Sequence, residues 1–145
     1  MKFLLVAAML FSVLAVNAKD KLCPLMVEDG IDPEETVTIE GKEIEFCCGT
    51  CVRKFEENKA YYIKAVKYLN ELFTPEQRKK LGVDDVVLLQ QRRCPIYPDR
   101  IVNPNSPTVE YKDMKIYFWS STAVRRWNRD PEKYYQAAKA NGILK

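Results

Sequence analysis

The 145-residue chain contains no histidine. That absence removes the commonest general base, the commonest nitrogen ligand for zinc, and any Ser-His or Cys-His nucleophile pair. The usual hydrolytic machinery has no parts here, so any chemistry falls to sulfur or to carboxylates. Charge of one sign is also scarce. The formal net charge is only +3, and the basic pairs Lys79-Lys80, Arg92-Arg93 and Arg125-Arg126 are dispersed among acids. No electrostatic case exists for nucleic acid or for an acidic membrane surface, and these pairs read as solvated surface. The carboxylate pairs Glu34-Glu35, Glu56-Glu57 and Asp84-Asp85 read as solvated loops or helix faces and name no substrate. An enzyme is not expected.

Long apolar runs are absent too, except at the very start. Lys2 precedes an almost wholly apolar run from Phe3 to Val16, and Val16-Asn17-Ala18 offers a small-residue cleavage site. That layout is a secretory signal peptide. The run is shorter than the roughly 20 residues a spanning helix needs, so no membrane span is expected after cleavage. The expected divisions are a leader over 1–18, a first unit over 19–73, a helical linker over 74–91 and a second unit over 92–145. A secreted or periplasmic location follows from the leader.

What is present is a repeat. At an offset of about 72 residues, Cys23-Pro24 falls on Cys94-Pro95, Thr36-Val37 on Thr108-Val109, and Ile44-Glu45-Phe46 on Ile116-Tyr117-Phe118. Val52-Arg53-Lys54-Phe55 falls on Val124-Arg125-Arg126-Trp127, and one residue of drift places Tyr61-Tyr62 on Tyr134-Tyr135. Each unit reads as a Cys-Pro loop, a β-hairpin and two helices. The first hairpin is expected over Thr36–Glu40 and Glu43–Phe46, followed by helices over Gly49–Glu57 and Lys59–Phe73. The second is expected over Thr108–Tyr111 and Lys115–Trp119, followed by helices over Ser121–Arg129 and Pro131–Ala140. Ser120 suits an N-cap, Pro131 a first helical turn, and Gly142 a position just past a helix end. Thr74-Pro75-Glu76 is a further helix start, Gly82 breaks that segment, and Val83–Gln91 is expected to form a short helix. The fold class is α+β, with both units packed as one compact domain. Phe46, Phe55, Tyr61, Tyr62, Phe118, Trp127, Tyr134 and Tyr135 are the expected shared core.

Three of the five cysteines fall within Cys47-Cys48-Gly49-Thr50-Cys51, where a strand meets a helix. Unsatisfied N–H groups and the helix dipole favour thiolate at such a place. Cys47 and Cys51 are four apart and share one helical face, and the hairpin returns Cys23 to the same end. Three thiolates converging in this way suit Zn²⁺, Cu(I) or another thiophilic ion. Cys48 is a candidate fourth ligand, and Cys94 is an alternative arriving from the second unit. The second unit lacks the cluster. Trp119 stands where Cys47 does, Ser120 where Cys48 does, and Ala123 where Cys51 does. The thiols therefore look like a site grafted on a scaffold.

The run Glu40-Gly41-Lys42 to Phe46-Cys47, then Cys51, Phe55 and a following tyrosine, resembles the YHS domain. That family overlaps with the TRASH-type heavy-metal-binding domains, whose shared signature is an early cysteine and a later Cys-x₃-Cys. Cys23, Cys47 and Cys51 match those positions in order, over about Cys23 to Tyr62, with Cys48 as a doubled cysteine. The resemblance implies a small treble-clef-like fold and a role in metal sensing, trafficking or resistance, often for copper or mercury-like ions. The second unit resembles the same fold with its ligand positions replaced, so metal binding is not carried over to it. A structural role or a protein-docking surface is expected there.

Two other readings stay open at this point. Cys48-Gly49-Thr50-Cys51 is itself a Cys-x-x-Cys after a strand, as in thiol–disulfide carriers. However, no Trp precedes it, no cis-proline loop is recognisable, and a repeat follows instead of a βαβ framework. Secreted cysteines are also normally structural disulfides, with Cys23–Cys47 or Cys23–Cys51 as possible bridges. Five cysteines cannot all pair within one chain. The expectation is an exported protein binding zinc or copper through Cys23, Cys47 and Cys51, assisted by Cys48.

Overall fold

In the computed structural model, which describes residues 21–145, the chain is an α+β assembly of two antiparallel hairpins and six helices. The proposed leader lies outside the described residues. Among the described residues, no helix is long and apolar enough to cross a membrane.

The first hairpin pairs β1 (Asp32–Ile39) with β2 (Lys42–Phe46). Its two-residue turn, Glu40-Gly41, places both residues in the left-handed region, at φ 50° and 73°. That conformation matches the twist of the flanking strands, and glycine adopts it without a Cβ penalty. A register shift between Asp32 and Thr36 bends the start of β1. Helices α1 (Gly49–Glu57), α2 (Lys59–Ala65), α3 (Lys67–Leu72) and α4 (Pro75–Lys80) follow. Thr74 and Gln77 form a reciprocal capping box that opens α4.

The second hairpin pairs β3 (Thr108–Tyr111) with β4 (Met114–Tyr117), and α5 (Ser121–Trp127) and α6 (Pro131–Ala140) come after it. Its turn residues Lys112 and Asp113 also sit at positive φ, 49° and 59°, here without a glycine. Ser120 caps α5 by accepting from the Ala123 N–H, and Asp130 caps α6 by accepting from that of Lys133.

Several boundaries differ from expectation. Val83–Gln91 is not a helix. The Lys64 ammonium takes up the carbonyls of Asp84 and Val86 at 2.8 and 2.7 Å, which holds this stretch as irregular chain against α2. The helix expected over Lys59–Phe73 breaks at Val66, whose backbone is extended. The break lets Tyr61, Tyr62 and Ile63 of α2 and Leu69 of α3 all reach the core. Strand β4 ends at Tyr117, before Trp119, and α5 ends at Trp127 rather than Arg129.

Of the expected core aromatics, Phe46, Phe55, Tyr61, Tyr62, Phe118 and Trp127 are buried, whereas Tyr134 and Tyr135 are only half-buried. Tyr62 stacks on Phe55 at 6.3 Å and 29°, and Tyr134 stacks on Trp127 at 6.5 Å and 26°.

The two Cys-Pro loops meet. The Val27 N–H donates to Asp99 O at 2.9 Å and the Ile101 N–H donates to Leu25 O at 3.0 Å, forming a bridge between Met26 and Arg100. Lys54 of α1 lies 4.6 Å from the centre of the Trp119 ring.

Candidate metal centre

Three elements deliver the thiols. Phe46, the last residue of β2, is fully buried with its ring 5.1 Å from that of Phe55 on α1. This pair fixes the strand-to-helix corner that carries Cys47, Cys48 and Cys51. Cys51 and Phe55, one helical turn apart, are the buried face of α1. Cys23 belongs to a closed loop in which its N–H donates to Asp29 O at 2.8 Å and the Asp29 N–H donates to Met26 O at 2.9 Å.

The side-chain sulfurs of Cys23, Cys47 and Cys51 all lie within 4.8 Å of one another. Cys23 and Cys51 are buried, Cys47 is half-buried, and none of the five cysteines is disulfide-bonded. The Cys47 and Cys51 sulfurs are 3.6 Å apart. Cys48 stands 3.8 Å from Cys47 but outside the group of three.

Cys94 does not join the cluster, contrary to the alternative considered for it. It is buried in its own Cys-Pro loop, where its N–H donates to Arg100 O at 3.0 Å. Burial pushes its thiol up, which makes it an inert core residue. Among the carboxylates, Glu56, Asp84 and their neighbours Glu57 and Asp85 are exposed. Glu35, expected on a solvated loop, instead lies in β1, with its oxygens 3.5 Å from where a Cβ on Gly49 would stand. An anion there complements the start of α1.

One sulfur escaped the sequence reading. The thioether of Met26 lies 3.8 Å from the Cys47 sulfur. Methionine ordinarily reads as core filler, and the one available signal was its place three residues after Cys23 in the same loop.

The three thiols hold their protons unequally. Hydrogen bonding from Cys51 pulls the Cys23 thiol down to about 5 against the cost of burial, with backbone N–H groups of Met26, Leu25 and Cys47 assisting. Burial, together with its bond to Cys23, pushes Cys47 up to about 12. Cys51 is raised as well, chiefly by the proton it shares with Cys23 and then by burial. The cluster thus favours one thiolate cradled by two thiols. A cation entering it would displace the remaining protons.

The cap of α1 is also informative. Cys48 and Ser120 occupy equivalent positions with the same extended backbone. Ser120 caps its helix, whereas the Cys48 side chain makes no capping bond. A thiol thus occupies a position where serine is preferred.

These sulfurs form a compact soft donor set on a rigid corner, suited to holding a thiophilic cation. No family model, no curated protein and no solved structure matches this chain.

Proposed function

We propose that this chain is an exported metal-binding protein that takes a soft ion, zinc or copper, through Cys23, Cys47 and Cys51, with Cys48 beside them. Its role is trafficking, sensing or resistance rather than catalysis. In this reading the chain is a pair of tandem YHS-like units, the second of which has lost its ligands and supports the first.

The observation that carries the proposal is the approach of three thiol sulfurs to within 4.8 Å of one another. Four sulfurs about 2.3 Å from a central ion stand about 3.8 Å apart, close to the 3.6 Å between Cys47 and Cys51. Support for the role of the second unit comes from its loop, which pairs with the backbone on either side of Met26.

The test is a native mass spectrum of residues 19–145 purified from an oxidising compartment without reductant. One bound metal ion with reduced thiols is the expected result. The double variant Cys47→Ser/Cys51→Ala should bind none while keeping its circular dichroism. Alanine suits position 51 because Ala123 is fully buried at the corresponding place. Normal metal binding by the double variant would refute the site.

A disulfide is the second reading, favoured by the same short Cys47–Cys51 separation and by the oxidising compartment that export implies. A metal-free mass, lighter by a pair of hydrogens for each bridge, would establish it in place of the metal.

A further inference from the structure

We propose that Met26 is the fourth donor of this site, and that its thioether makes the site one for Cu(I) rather than for zinc. The inference rests on the metal-binding reading above and adds the identity of the ion. Met26 is tied to the cluster at two points. Its sulfur lies 3.8 Å from that of Cys47, the edge expected between two sulfurs that share one ion. Its carbonyl accepts from the N–H of Asp29, whose own carbonyl accepts from the Cys23 N–H, so both residues belong to one closed loop.

The residue is also held firmly. The Asp29 N–H donates to its carbonyl at 2.9 Å, and the bonds Val27 N–H to Asp99 O and Ile101 N–H to Leu25 O clamp the peptides on either side. Met26 is half-buried against the core. The backbone that carries the thioether therefore needs little further ordering on ligation.

The donor chemistry then decides the metal. Zinc sites draw on thiolate, imidazole and carboxylate. Thioether sulfur is a soft, neutral donor that favours Cu(I). The chain has no histidine, and among the described residues no carboxylate joins the three sulfurs. Cys48 stands as close to Cys47 as Met26 does, at 3.8 Å, and is the competing fourth donor that the experiment separates from Met26. A set of three thiolates and one thioether therefore suits Cu(I) best.

The experiment compares the wild-type chain with Met26→Leu and Cys48→Ser. Cu(I) affinity is read by competition with a chromophoric Cu(I) chelator, and zinc affinity with a chromophoric zinc chelator, under reductant. Leucine keeps the bulk of methionine, so the variant is expected to fold, and circular dichroism checks this. Met26→Leu should weaken Cu(I) binding about tenfold or more and leave zinc binding unchanged, while Cys48→Ser, the competing donor, should weaken Cu(I) binding less than Met26→Leu does. In selenomethionine-labelled protein loaded with Cu(I), the selenium absorption edge should show a copper neighbour that disappears in Met26→Leu.

Cu(I) binding by Met26→Leu at wild-type strength, or a loss confined to Cys48→Ser, would overturn the assignment of Met26 while leaving the three-cysteine site standing. Failure of the wild-type chain to bind either metal would remove the underlying reading instead.

Discussion

The Asn103 side-chain amide donates to the Tyr62 hydroxyl at 2.6 Å, with both residues buried. Tyr62 stacks on Phe55, and Phe55 packs on Phe46, the residue next to Cys47. The loop leading into the second hairpin is thereby connected to the corner that holds the thiols. Removing the hydroxyl with Tyr62→Phe leaves the buried Asn103 amide without this acceptor, at a cost of about 1–3 kcal/mol. Urea unfolding should show that loss. An unchanged midpoint in Tyr62→Phe would mean that water satisfies the amide.

Trp119, which the sequence alignment of the two halves sets against Cys47, is only 4% exposed. It lies beneath the Lys54 ammonium of α1 and within 5.9 Å of the Arg100 guanidinium. Trp119→Ala should cost roughly 3–5 kcal/mol without altering metal affinity at saturating stability. Metal binding that falls together with stability would show that the ring shapes the thiol corner directly.

Cys48→Ser gives α1 the cap that Ser120 gives α5. A stability gain of about 1 kcal/mol is expected in the metal-free, reduced protein. Thermal unfolding under reductant and chelator measures it. A loss would indicate that the Cys48 thiol makes a packing contact that a hydroxyl cannot replace.

The unequal thiols predict a pH profile for the same metal-free, reduced state. Folded Cys23 releases its proton near 5, whereas an unfolded thiol holds it to its ordinary 9.0. Between those values the unfolded chain binds more protons, so stability rises with pH and is lost as pH falls toward 5. Above 9.0 the sign reverses, because folded Cys47 keeps its proton to about 12 while the unfolded thiol has given it up. The unfolding midpoint should peak near pH 9 and decline on both sides. A flat profile from pH 5 to 9 would show that Cys23 is not the preferred thiolate.

The elements that read clearly from the sequence are those fixed by short-range chemistry. The two hairpins are marked by alternation around two-residue turns, and α1 and α6 begin and end where their punctuation places them. Val83–Gln91 misled because its apolar residues resemble a helix, while the deciding partner, Lys64, lies on another element. The break at Val66 was hidden for a similar reason, since the tertiary demand to bury both α2 and α3 overrides local propensity. The grouping of Cys23, Cys47 and Cys51 was legible from spacing. The place of Met26 was not, because a thioether becomes a candidate ligand only when the fold sets it beside a thiol.

Cys23 sits near the beginning of the described chain, and its partners lie beyond a complete hairpin. A sulfur bridge between them would persist in the unfolded chain and close that loop there, an entropic effect set mainly by loop length. An ion would instead stabilise by binding the folded sulfurs, to a degree set by its concentration against its affinity. Heat resistance of this protein should therefore follow the redox and metal content of its surroundings, and a melting temperature that climbs with metal concentration marks the ion, whereas one that drops on adding reductant marks the bridge.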